Sequence, residues 1–468
     1  MSTNPTASQI VAGFAAGFDA TRISPAILRQ CGRALADTLA VAIAGLREPG
    51  ASRMRAYVEA CGPCANLGSA PSGFARLWGS DRAAPVEAAA LFNATVAHLL
   101  DFDDASSAMC GHPSVALLPA LVALAEARDI DGTRLASAYV VGFEVCCKLG
   151  RALDLSHYAR GWHMTASVGT LAAAAACGHL IGLDPARLVN ALGLAVASTA
   201  GTRENFGTDA KSFQVGHCNA AALRAVLLAE QDFTAAATAL DGNAGYTALY
   251  SAGEPVAEAL SRLGEEPLEI ETSGIEVKRY AACYGIHRPL DGLFDLAGNR
   301  PLDPERIGRI EVETSYGGLA VLIRHQPRSG TEGKFSLEYS LAAAVTDGAI
   351  RLASYTDEAV ARPALRALMD RIAAREASGP MIPRWATVAV HLTNGEVLSR
   401  RVDALHGAPQ APLSDGELMA KIADCVAWSG VPIDPSALFE AALELGTRRV
   451  RDILTAAERP LMMERRVS

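Results

Sequence analysis

The chain has 468 residues, of which 50% are hydrophobic, 20% charged and only 6% aromatic, and its formal net charge is −9. This length exceeds what one compact core accommodates and this hydrophobic fraction excludes a disordered chain, so we expect two or three domains. The acidic excess, with no basic block, argues against a nucleic-acid partner but leaves open a small anionic substrate held by local cations.

Helix signals run from the N-terminus to about residue 265. Ala, Leu and Val supply most of the hydrophobic fraction, which favours closely packed helices. Ser24 and Pro25 are typical of a helix start. The predicted helices cover 25–45, 85–100, 113–128, 132–150, 165–182, 185–200, 212–231 and 254–263. Their short connections predict that consecutive helices pack as antiparallel neighbours.

One stretch is long enough to cross a membrane. Residues 161–183 carry no Asp, Glu, Lys or Arg, but they include Trp162, His163 and several hydroxyl side chains, so we predict a buried core helix. The N-terminus lacks the basic region of a signal peptide. Ten scattered cysteines favour buried free thiols in a reducing compartment. We therefore predict a cytoplasmic protein without a membrane partner.

The pattern changes near residue 268. Alternating or β-branched residues predict strands over 268–274, 308–315, 386–392 and 396–402, the last two joined as a hairpin by Asn394-Gly395. Helices are predicted over 287–298, 335–348 and 357–375, and helical patterning returns from Ser414 to about Ala457. We predict a mainly α protein, in which an all-α main domain (1–267 and 404–468) carries an inserted smaller α+β lid domain (268–403).

Several cofactor signatures are missing from the sequence. It has no Walker loop, no dinucleotide-binding glycine fingerprint, no HExxH and no GxSxG, which favours chemistry without a cofactor. Cys61 and Cys64 have the spacing of a thioredoxin-type pair. A helix is predicted before them and a loop after them, so a surface turn is favoured over a redox site.

The densest polar cluster is 98-HLLDFDDASSAMCGHPS-114. Its three Asp residues could hold Mg²⁺, but Ser107 stands where a DDxxD pattern needs its last Asp, so we predict no metal site. Plain helix capping and orientation of His112 by a carboxylate both stay open. Because His112 precedes a helix that begins at Pro113, the positive helix end favours a neutral imidazole that can accept a proton.

Three further clusters carry polar chemistry. The predicted loop 157–165 concentrates His157, Tyr158, Arg160, Trp162 and His163. Lys211 stands near a helix start, where a cation and the helix end together suit a carboxylate. A third cluster, at a helix entry in the α+β module, contains Lys278, Arg279, Cys283 and His287. Two cationic loops on separate modules predict an anionic-substrate site between domains.

At these residues the chain resembles the MmgE/PrpD family, which includes 2-methylcitrate dehydratase, cis-aconitate decarboxylase and iminodisuccinate epimerase. The motifs that carry the resemblance are His98-x-x-Asp-Phe-Asp-Asp, His112-Pro-Ser, Gly161-Trp-His163, Gly207-Thr-x-x-Lys211 with Gly216, Lys278 with Cys283 and His287, and 335-FSLEYSLAAAVTDG-348. They fall in order over nearly the whole chain. The resemblance implies a helical main domain built from both chain ends, an inserted lid, a homodimer and a cofactor-independent site at the domain interface.

Within the family, the loop from Asp104 to His112 and the string around Tyr158 look most like the iminodisuccinate epimerase branch. This likeness implies that His112 and Tyr158 transfer protons and that Lys211 lies near the substrate. Three residues depart from common family patterns: Ala105 replaces a hydroxyl residue, Gln214 stands where a His often follows the Lys, and Cys283 stands where the decarboxylase has His. Tyr316 lies about where the decarboxylase has a functional Tyr.

The leading hypothesis is removal of a proton from the carbon next to a carboxylate of a small di- or tricarboxylate. We expect His112 to act as the base, oriented by Asp101 or Asp104, and Tyr158 as the opposing acid. The expected carboxylate-binding set is Lys211, His163, Lys278, Arg279, Cys283, His287 and Tyr316. Reprotonation on the other face would make the enzyme an epimerase, whereas departure of a substituent would make it a dehydratase-like or decarboxylase-like lyase. A non-catalytic carboxylate-binding relative is a further alternative.

Overall fold

The computed structural model describes residues 5–251, 256–298, 302–380 and 382–459. The chain divides into two compact units, which we call the helical unit (residues 1–276 and 418–468) and the α+β unit (residues 277–417). The sequence-based boundaries, after residues 267 and 403, lie earlier in the chain than these. The mainly α class predicted from the sequence is confirmed.

The first segment of the helical unit is a run of helices interrupted by one short sheet. The helices are α1 Ala7–Gly17, α2 Pro25–Gly45, α3 Pro49–Cys61, α4 Val86–His98, α5 Pro113–Ala127, α6 Gly132–Ala159, α7 Met164–Ile181, α8 Pro185–Val196, α9 Asp209–Glu230, α10 Tyr246–Tyr250, α11 Val256–Leu260 and α12 Glu269–Thr272. The strands are β1 Ala65–Asn66, β2 Phe74–Arg76 and β3 Arg82–Pro85, in the antiparallel order β1-β3-β2. The sequence did not predict this sheet, because strands this short carry no readable alternation.

Helix α7 lies at the centre of the helical unit. It packs against α5, α6, α8 and α9, and every residue from Met164 to Gly178 is buried. By length and hydropathy this helix could cross a membrane, yet 89% of it is buried inside the protein. The prediction of a core helix is confirmed, since the Ala run allows neighbouring helices to approach closely on all sides.

Two local predictions in the helical unit were wrong. Helix α6 does not stop at Gly150 but continues to Ala159, because Gly150 serves close packing: a Cβ there would lie 2.7 Å from the carbonyl oxygen of Ala108. The predicted strand 268–274 contains helix α12 instead. Its N-terminus is stabilised by Glu271, whose carboxylate accepts a hydrogen bond from the backbone N–H of Leu268 at 3.0 Å.

The described residues of the α+β unit form a four-stranded sheet and five α-helices. The helices are α13 Tyr284–Ala297, α14 Gly330–Gly333, α15 Leu337–Asp347, α16 Asp357–Val360 and α17 Pro363–Met369, and the strands are β4 Ile307–Thr314, β5 Ile372–Glu376, β6 Ala386–Leu392 and β7 Val397–Val402. The order is β5-β4-β6-β7, with β5 parallel to β4 and the other pairs antiparallel. The β6–β7 hairpin confirms the turn predicted at Asn394-Gly395.

The predicted helix 357–375 is divided into the short helices α16 and α17, and its last four residues belong to a strand. Residues 372–376 form β5, which pairs in register with β4 from Ile310 to Thr314. Pairing with a strand some 60 residues earlier in the chain is a tertiary event that local helical spacing does not report.

The chain then returns to the helical unit with α18 Asp415–Ser429, α19 Pro435–Leu443 and α20 Val450–Ala457, as the helical pattern after Ser414 predicted. Helix α19 packs on α2, and α20 packs on α5. Seven of the ten cysteines are buried, and the described structure contains no disulfide between them. Helix α3 ends at Cys61, so this Cys and Cys64 lie in the helix-then-loop context that the sequence predicted rather than in a thioredoxin-type strand–helix turn.

Candidate active site

The segment between α4 and α5 forms a loop (residues 99–112, the carboxylate loop) that carries the clustered acidic side chains. Asp101 adopts the left-handed conformation with φ of 53°. Ser106 and Gly111 exchange backbone hydrogen bonds of 2.9 and 3.3 Å, which closes the tip of the loop. The backbone N–H of His112 donates to Thr165 Oγ1 at 3.2 Å, so the end of the loop is tied to the start of α7.

Asp103 joins two imidazoles inside this loop. Its Oδ2 lies 2.9 Å from Nδ1 of His98 and 3.1 Å from Nδ1 of His112. The side chain of Asp103 is 1% exposed and that of His98 is fully buried. The two rings lie edge to face with centroids 4.8 Å apart. A buried carboxylate that accepts from both rings fixes their orientation relative to each other.

The position of His112 makes its Nδ1 the donor nitrogen. Nδ1 faces two acceptors, the Asp103 carboxylate and the backbone oxygen of Asp104, which lies at 2.7 Å. Two acceptors at one ring nitrogen require a proton there, so in the neutral ring the lone pair sits on Nε2. Nε2 lies 3.7 Å from Oδ1 of Asp101. His112 occupies the N-cap position of α5, but its side chain makes no capping bond to that helix.

Asp104 caps α5 in its place. Its Oδ1 accepts from the backbone N–H of Ser114 at 3.2 Å, and its Oδ2 accepts from the Ser114 hydroxyl. The same hydroxyl lies 2.7 Å from the phenol oxygen of Tyr139. Burial raises the pKa of Asp104 to about 8, with smaller contributions from neighbouring carboxylates. The side chain of Asp104 therefore caps the N-terminus of α5, and only the backbone oxygen of Asp104 contacts His112.

Lys211 reaches the carboxylate loop from the first turn of α9. Its Nζ lies 2.6 Å from Oδ1 of Asp101, with both side chains less than one-fifth exposed. Gly216 explains the approach, since a Cβ there would lie 2.6 Å from the carbonyl oxygen of Leu91 on α4. Because a glycine lets α9 and α4 come this close, Lys211 meets the loop that leaves the end of α4.

His163 is anchored through Gln214. The Gln214 Nε2 group donates to the carbonyl of Thr202 at 3.1 Å, so its Oε1 is the acceptor, 2.8 Å from Nδ1 of His163. The amide thus holds the proton of His163 on Nδ1. Nε2 of His163 and Nε2 of His98 are buried and have no hydrogen-bond partner within the described residues. The His98 and His163 rings are stacked with centroids 5.9 Å apart.

Burial sets the protonation states of these rings. It lowers the pKa of His98 to about 4, although Asp103 acts in the opposite direction. It also lowers the pKa of His163 well below its usual range, and the His98 ring and Lys211 act in the same sense. For Asp103, burial acts to raise the pKa, but His98 and His112 outweigh it and hold the value well below normal. At neutral pH the cluster thus contains the neutral rings of His98 and His163 beside an ionised Asp103.

Tyr158 and His157 are not in a loop, as the sequence suggested, but in the last turn of α6. The guanidinium of Arg203 lies 4.0 Å from the centroid of the Tyr158 ring. His157 is buried and uses both ring nitrogens, towards the Tyr250 carbonyl at 2.6 Å and the Ser167 hydroxyl at 2.8 Å. These bonds give His157 a structural role.

Five residues of the predicted binding set belong to the α+β unit. Lys278, Cys283 and His287 are buried, and Cys283 precedes the first residue of α13. Nε2 of His287 lies 3.1 Å from the carbonyl of Ala282. Arg279 pairs with Asp291 at 3.7 Å and lies 4.0 Å from Glu417. Tyr316, just after β4, is 54% exposed. Their proposed role in binding carboxylates stays a prediction.

Four side chains could in principle surround a cation, because ligand atoms of His98, Asp101, Asp103 and His112 lie within 4.8 Å of one another. One oxygen of each carboxylate is already engaged: Oδ1 of Asp101 accepts from the ammonium group of Lys211, and Oδ2 of Asp103 accepts from both rings. A metal ion would have to displace these bonds. The arrangement fits a network of ammonium, carboxylate and imidazole groups better than a ligand set.

His98 and Asp103 lie in the sequence motifs and Gln214 is a departure from the family pattern, but the sequence predicted a role in the site for none of them. The structure brings all three into contact with the predicted residues. A usable signal existed for His98 and Asp103, since a His at the end of an apolar helix five residues before a carboxylate is unusual in a core. Gln214 carried no such signal, because its role depends on where Thr202 lies.

Two family domains match consecutive parts of the chain. The MmgE/PrpD N-terminal domain matches residues 9–259, and the MmgE/PrpD C-terminal domain matches residues 280–442. The cis-aconitate decarboxylase of Homo sapiens is 28% identical over 360 residues, covering 74% of each chain. The mouse enzyme is 27% identical over 428 residues (88% of this chain, 84% of the relative). That of Aspergillus terreus is 28% identical over 363 residues (72% and 71%).

These matches do not support the epimerase branch that the local motifs favoured, because the named relatives are decarboxylases. They do confirm the broader resemblance on which that expectation rested. Both family domains are matched in order over most of the chain. The chain is an enzyme and belongs to the MmgE/PrpD family.

Proposed function

We propose that this protein is a cofactor-independent lyase that removes a carboxylate group as CO₂ from a small unsaturated di- or tricarboxylate. The single observation that carries the proposal is the placement of His112 Nε2 beside the Asp101–Lys211 pair, at 3.7 Å from Asp101. This placement brings a proton-transfer group, His112, next to a largely buried cation, Lys211. The decarboxylase relatives support this chemistry over the epimerase.

The decarboxylation needs both the ammonium group of Lys211 and the imidazole of His112. The C–CO₂⁻ bond breaks, CO₂ leaves, and the electron pair stays on carbon, where a neighbouring unsaturated carboxylate delocalises it. Lys211 stabilises the added negative charge, because an ammonium group in a largely buried site interacts strongly with developing charge. His112, as the imidazolium, then delivers one proton to carbon, so that a C–H bond replaces the C–CO₂⁻ bond. The ionised Asp103 stabilises the imidazolium through Nδ1.

Tyr158 and the carboxylate-binding residues complete the proposal. We propose Tyr158 as a second proton-transfer group, in keeping with the family resemblance. His163 offers an unpartnered acceptor nitrogen, so it suits a hydroxyl or a protonated carboxyl of the substrate better than a carboxylate. Lys278, Arg279, Cys283, His287 and Tyr316 are proposed to bind the remaining carboxylates. We further propose that the enzyme is cytoplasmic and that it is a homodimer. Sedimentation of the purified protein tests the homodimer.

Proton NMR in deuterium oxide separates the candidate reactions. We expect cis-aconitate, or another unsaturated polycarboxylate in a panel, to lose CO₂ and gain one deuteron at carbon. Exchange or inversion at a saturated carbon of iminodisuccinate without CO₂ release would replace the lyase by the epimerase. Loss of water alone would indicate a dehydratase.

Variants assign the activity to this site. His112→Gln should abolish turnover, because it removes the group that transfers the proton. His325→Gln is the matched control, since His325 is an exposed histidine of the α+β unit that pairs with Glu338. Equal activity in the two variants would remove His112 from the mechanism.

A further inference from the structure

A buried ion pair lies directly behind the carboxylate loop. Nζ of Lys421, on α18, is 2.6 Å from Oδ1 of Asp37, on α2, and the two side chains are 3% and 2% exposed. These residues are nearly 400 positions apart in the chain. A buried pair of this kind contributes little net stability, because desolvation of both charges offsets most of their attraction. The further contacts of Lys421 indicate a role other than stability.

Lys421 also binds the loop itself. The ammonium donates to the backbone carbonyl of Phe102 at 2.9 Å and lies 4.1 Å from the centroid of the Phe102 ring. Phe102 is itself buried, at 3% exposure. Lys421 thus holds both the backbone and the side chain of the residue that separates Asp101 from Asp103.

The loop needs such an anchor. Asp101 has a left-handed backbone, which is unfavourable for a residue other than glycine unless surrounding contacts impose it. Asp101 must face Lys211 on one side, while Asp103 must face His98 and His112 on the other. Rotation of the Phe102 peptide would move both carboxylates together. The bond from Lys421 fixes that peptide.

We propose that Lys421 is a positioning residue, which holds the Phe102 peptide so that Asp101 and Asp103 stay aligned with Lys211 and the two imidazoles, and that Asp37 keeps the Lys421 ammonium in place. This inference rests on the proposed function for its effect on turnover. Its effect on the histidine rings is independent of any substrate.

The test compares variants that separate the anchor from the ion pair. Lys421→Met/Asp37→Leu removes both charges at similar volume, so no unpaired charge is left in the core, but the Phe102 carbonyl loses its donor. Asp37→Asn removes the charge of the carboxylate but keeps a side-chain oxygen that can accept from the Lys421 ammonium, so the anchor to Phe102 stays. We expect kcat to fall at least ten-fold in the double variant, with KM within two-fold, and to stay within three-fold of wild type in Asp37→Asn. Equal kcat values in the folded double variant and in wild type would overturn the proposal.

A second readout needs no substrate. Long-range ¹H–¹⁵N spectra report which ring nitrogen of each histidine carries the proton. In wild type the neutral rings of His98 and His112 should carry their proton on Nδ1, and in the double variant the neutral ring of His112 should shift towards the Nε2–H form. An unchanged tautomer would count against positioning. If wild type turns over none of the carboxylates, the proposed function fails while this measurement still decides the role of Lys421.

Two further variants guard against a loss of folding. Lys421→Arg keeps the charge but moves the donor, so it should lower kcat without lowering Tm; full activity would contradict the proposal. Arg76→Met/Glu126→Leu is the matched control, since Arg76 and Glu126 are a comparably buried pair at 2.7 Å. The guanidinium of Arg76 also contacts Thr455 on α20 and Glu458 just after it. The control variant should lower Tm and leave kcat unchanged.

Discussion

The carboxylate of Asp103 lies 3.1 Å from Nδ1 of His112, and the same oxygen accepts the Nδ1–H of His98. The neighbouring Asp104 meets His112 only through its backbone oxygen. Of the two adjacent carboxylates, only that of Asp103 can therefore orient and charge-stabilise the imidazole.

This difference predicts unequal effects of two matched substitutions. Asp103→Asn should lower kcat by ~100-fold or more, because it removes the charge that stabilises the imidazolium and disturbs the ring tautomer. Asp104→Asn should lower kcat by less than about ten-fold, since the backbone oxygen remains. Steady-state measurement of CO₂ release checks both. Similar losses in the two variants would show that the orienting carboxylate has been misassigned.

Lys211 is expected to supply the positive charge for the substrate. Lys211→Met should lower kcat/KM by ~100-fold, because the buried site loses its cation and leaves Asp101 without its ammonium partner. Lys148→Met is the control, since Lys148 pairs with Glu269 on another part of the helical unit. Initial rates over a range of substrate concentrations check the result, and a retained kcat/KM in Lys211→Met would count against the assignment.

The buried ring of His98 predicts a pH-dependent stability. Its pKa is lowered to about 4 in the folded protein against about 6.5 in the unfolded chain, so the unfolded state binds more protons between these values. The contribution of the neutral His98 ring to the free energy of unfolding is therefore complete above about pH 6.5 and is lost as the pH falls towards 4. Relative to His98→Asn, wild type should lose ~3 kcal/mol over that interval. Urea unfolding at several pH values measures it, and parallel pH curves would contradict it.

The raised pKa of Asp104 predicts that its contribution to the free energy of unfolding changes with pH in the opposite direction. Its pKa is raised to about 8 by burial, so the folded protein keeps a proton that the unfolded chain releases near pH 4. The contribution is present below about pH 4 and is lost as the pH rises to 8. Relative to the permanently neutral Asp104→Asn, wild type should become less stable by up to ~5 kcal/mol across this range. The same unfolding series checks it, and a constant difference between the two proteins would sink the assignment.

The network of Lys211, Asp101, Asp103 and two imidazoles predicts turnover without a bound cation. Dialysis against a strong chelator should leave kcat unchanged, because Oδ1 of Asp101 already accepts from Lys211 and Oδ2 of Asp103 already accepts from both imidazoles. Elemental analysis of the dialysed protein gives the control. A loss of activity that Mg²⁺ or Zn²⁺ restores would show that the cluster is a ligand set after all.

Sequence reasoning found most of the helices and the residues that meet at the carboxylate loop. Helix periodicity and Pro starts placed α2, α4 and α5 nearly to their observed ends, because these signals are local. The predicted helix ends were least accurate where a segment distant in the sequence packs against the helix or pairs with it. Gly150 is typical of a helix end, but it packs against the carboxylate loop inside α6. The residues of β5 fit a helical pattern, but they pair with β4.

The sequence by itself determined the helical class and the family and predicted His112, Asp101 and Lys211 as site residues, because composition, periodicity and ordered motifs are properties of the linear chain. Tertiary structure alone decided which of three neighbouring carboxylates faces His112, which nitrogen of each ring keeps its proton, and that Lys421 holds the Phe102 peptide. These relationships depend on ångström-scale distances between segments up to about 320 residues apart, and such distances are set by the packing of α2, α4, α9 and α18 rather than by any local spacing of residues.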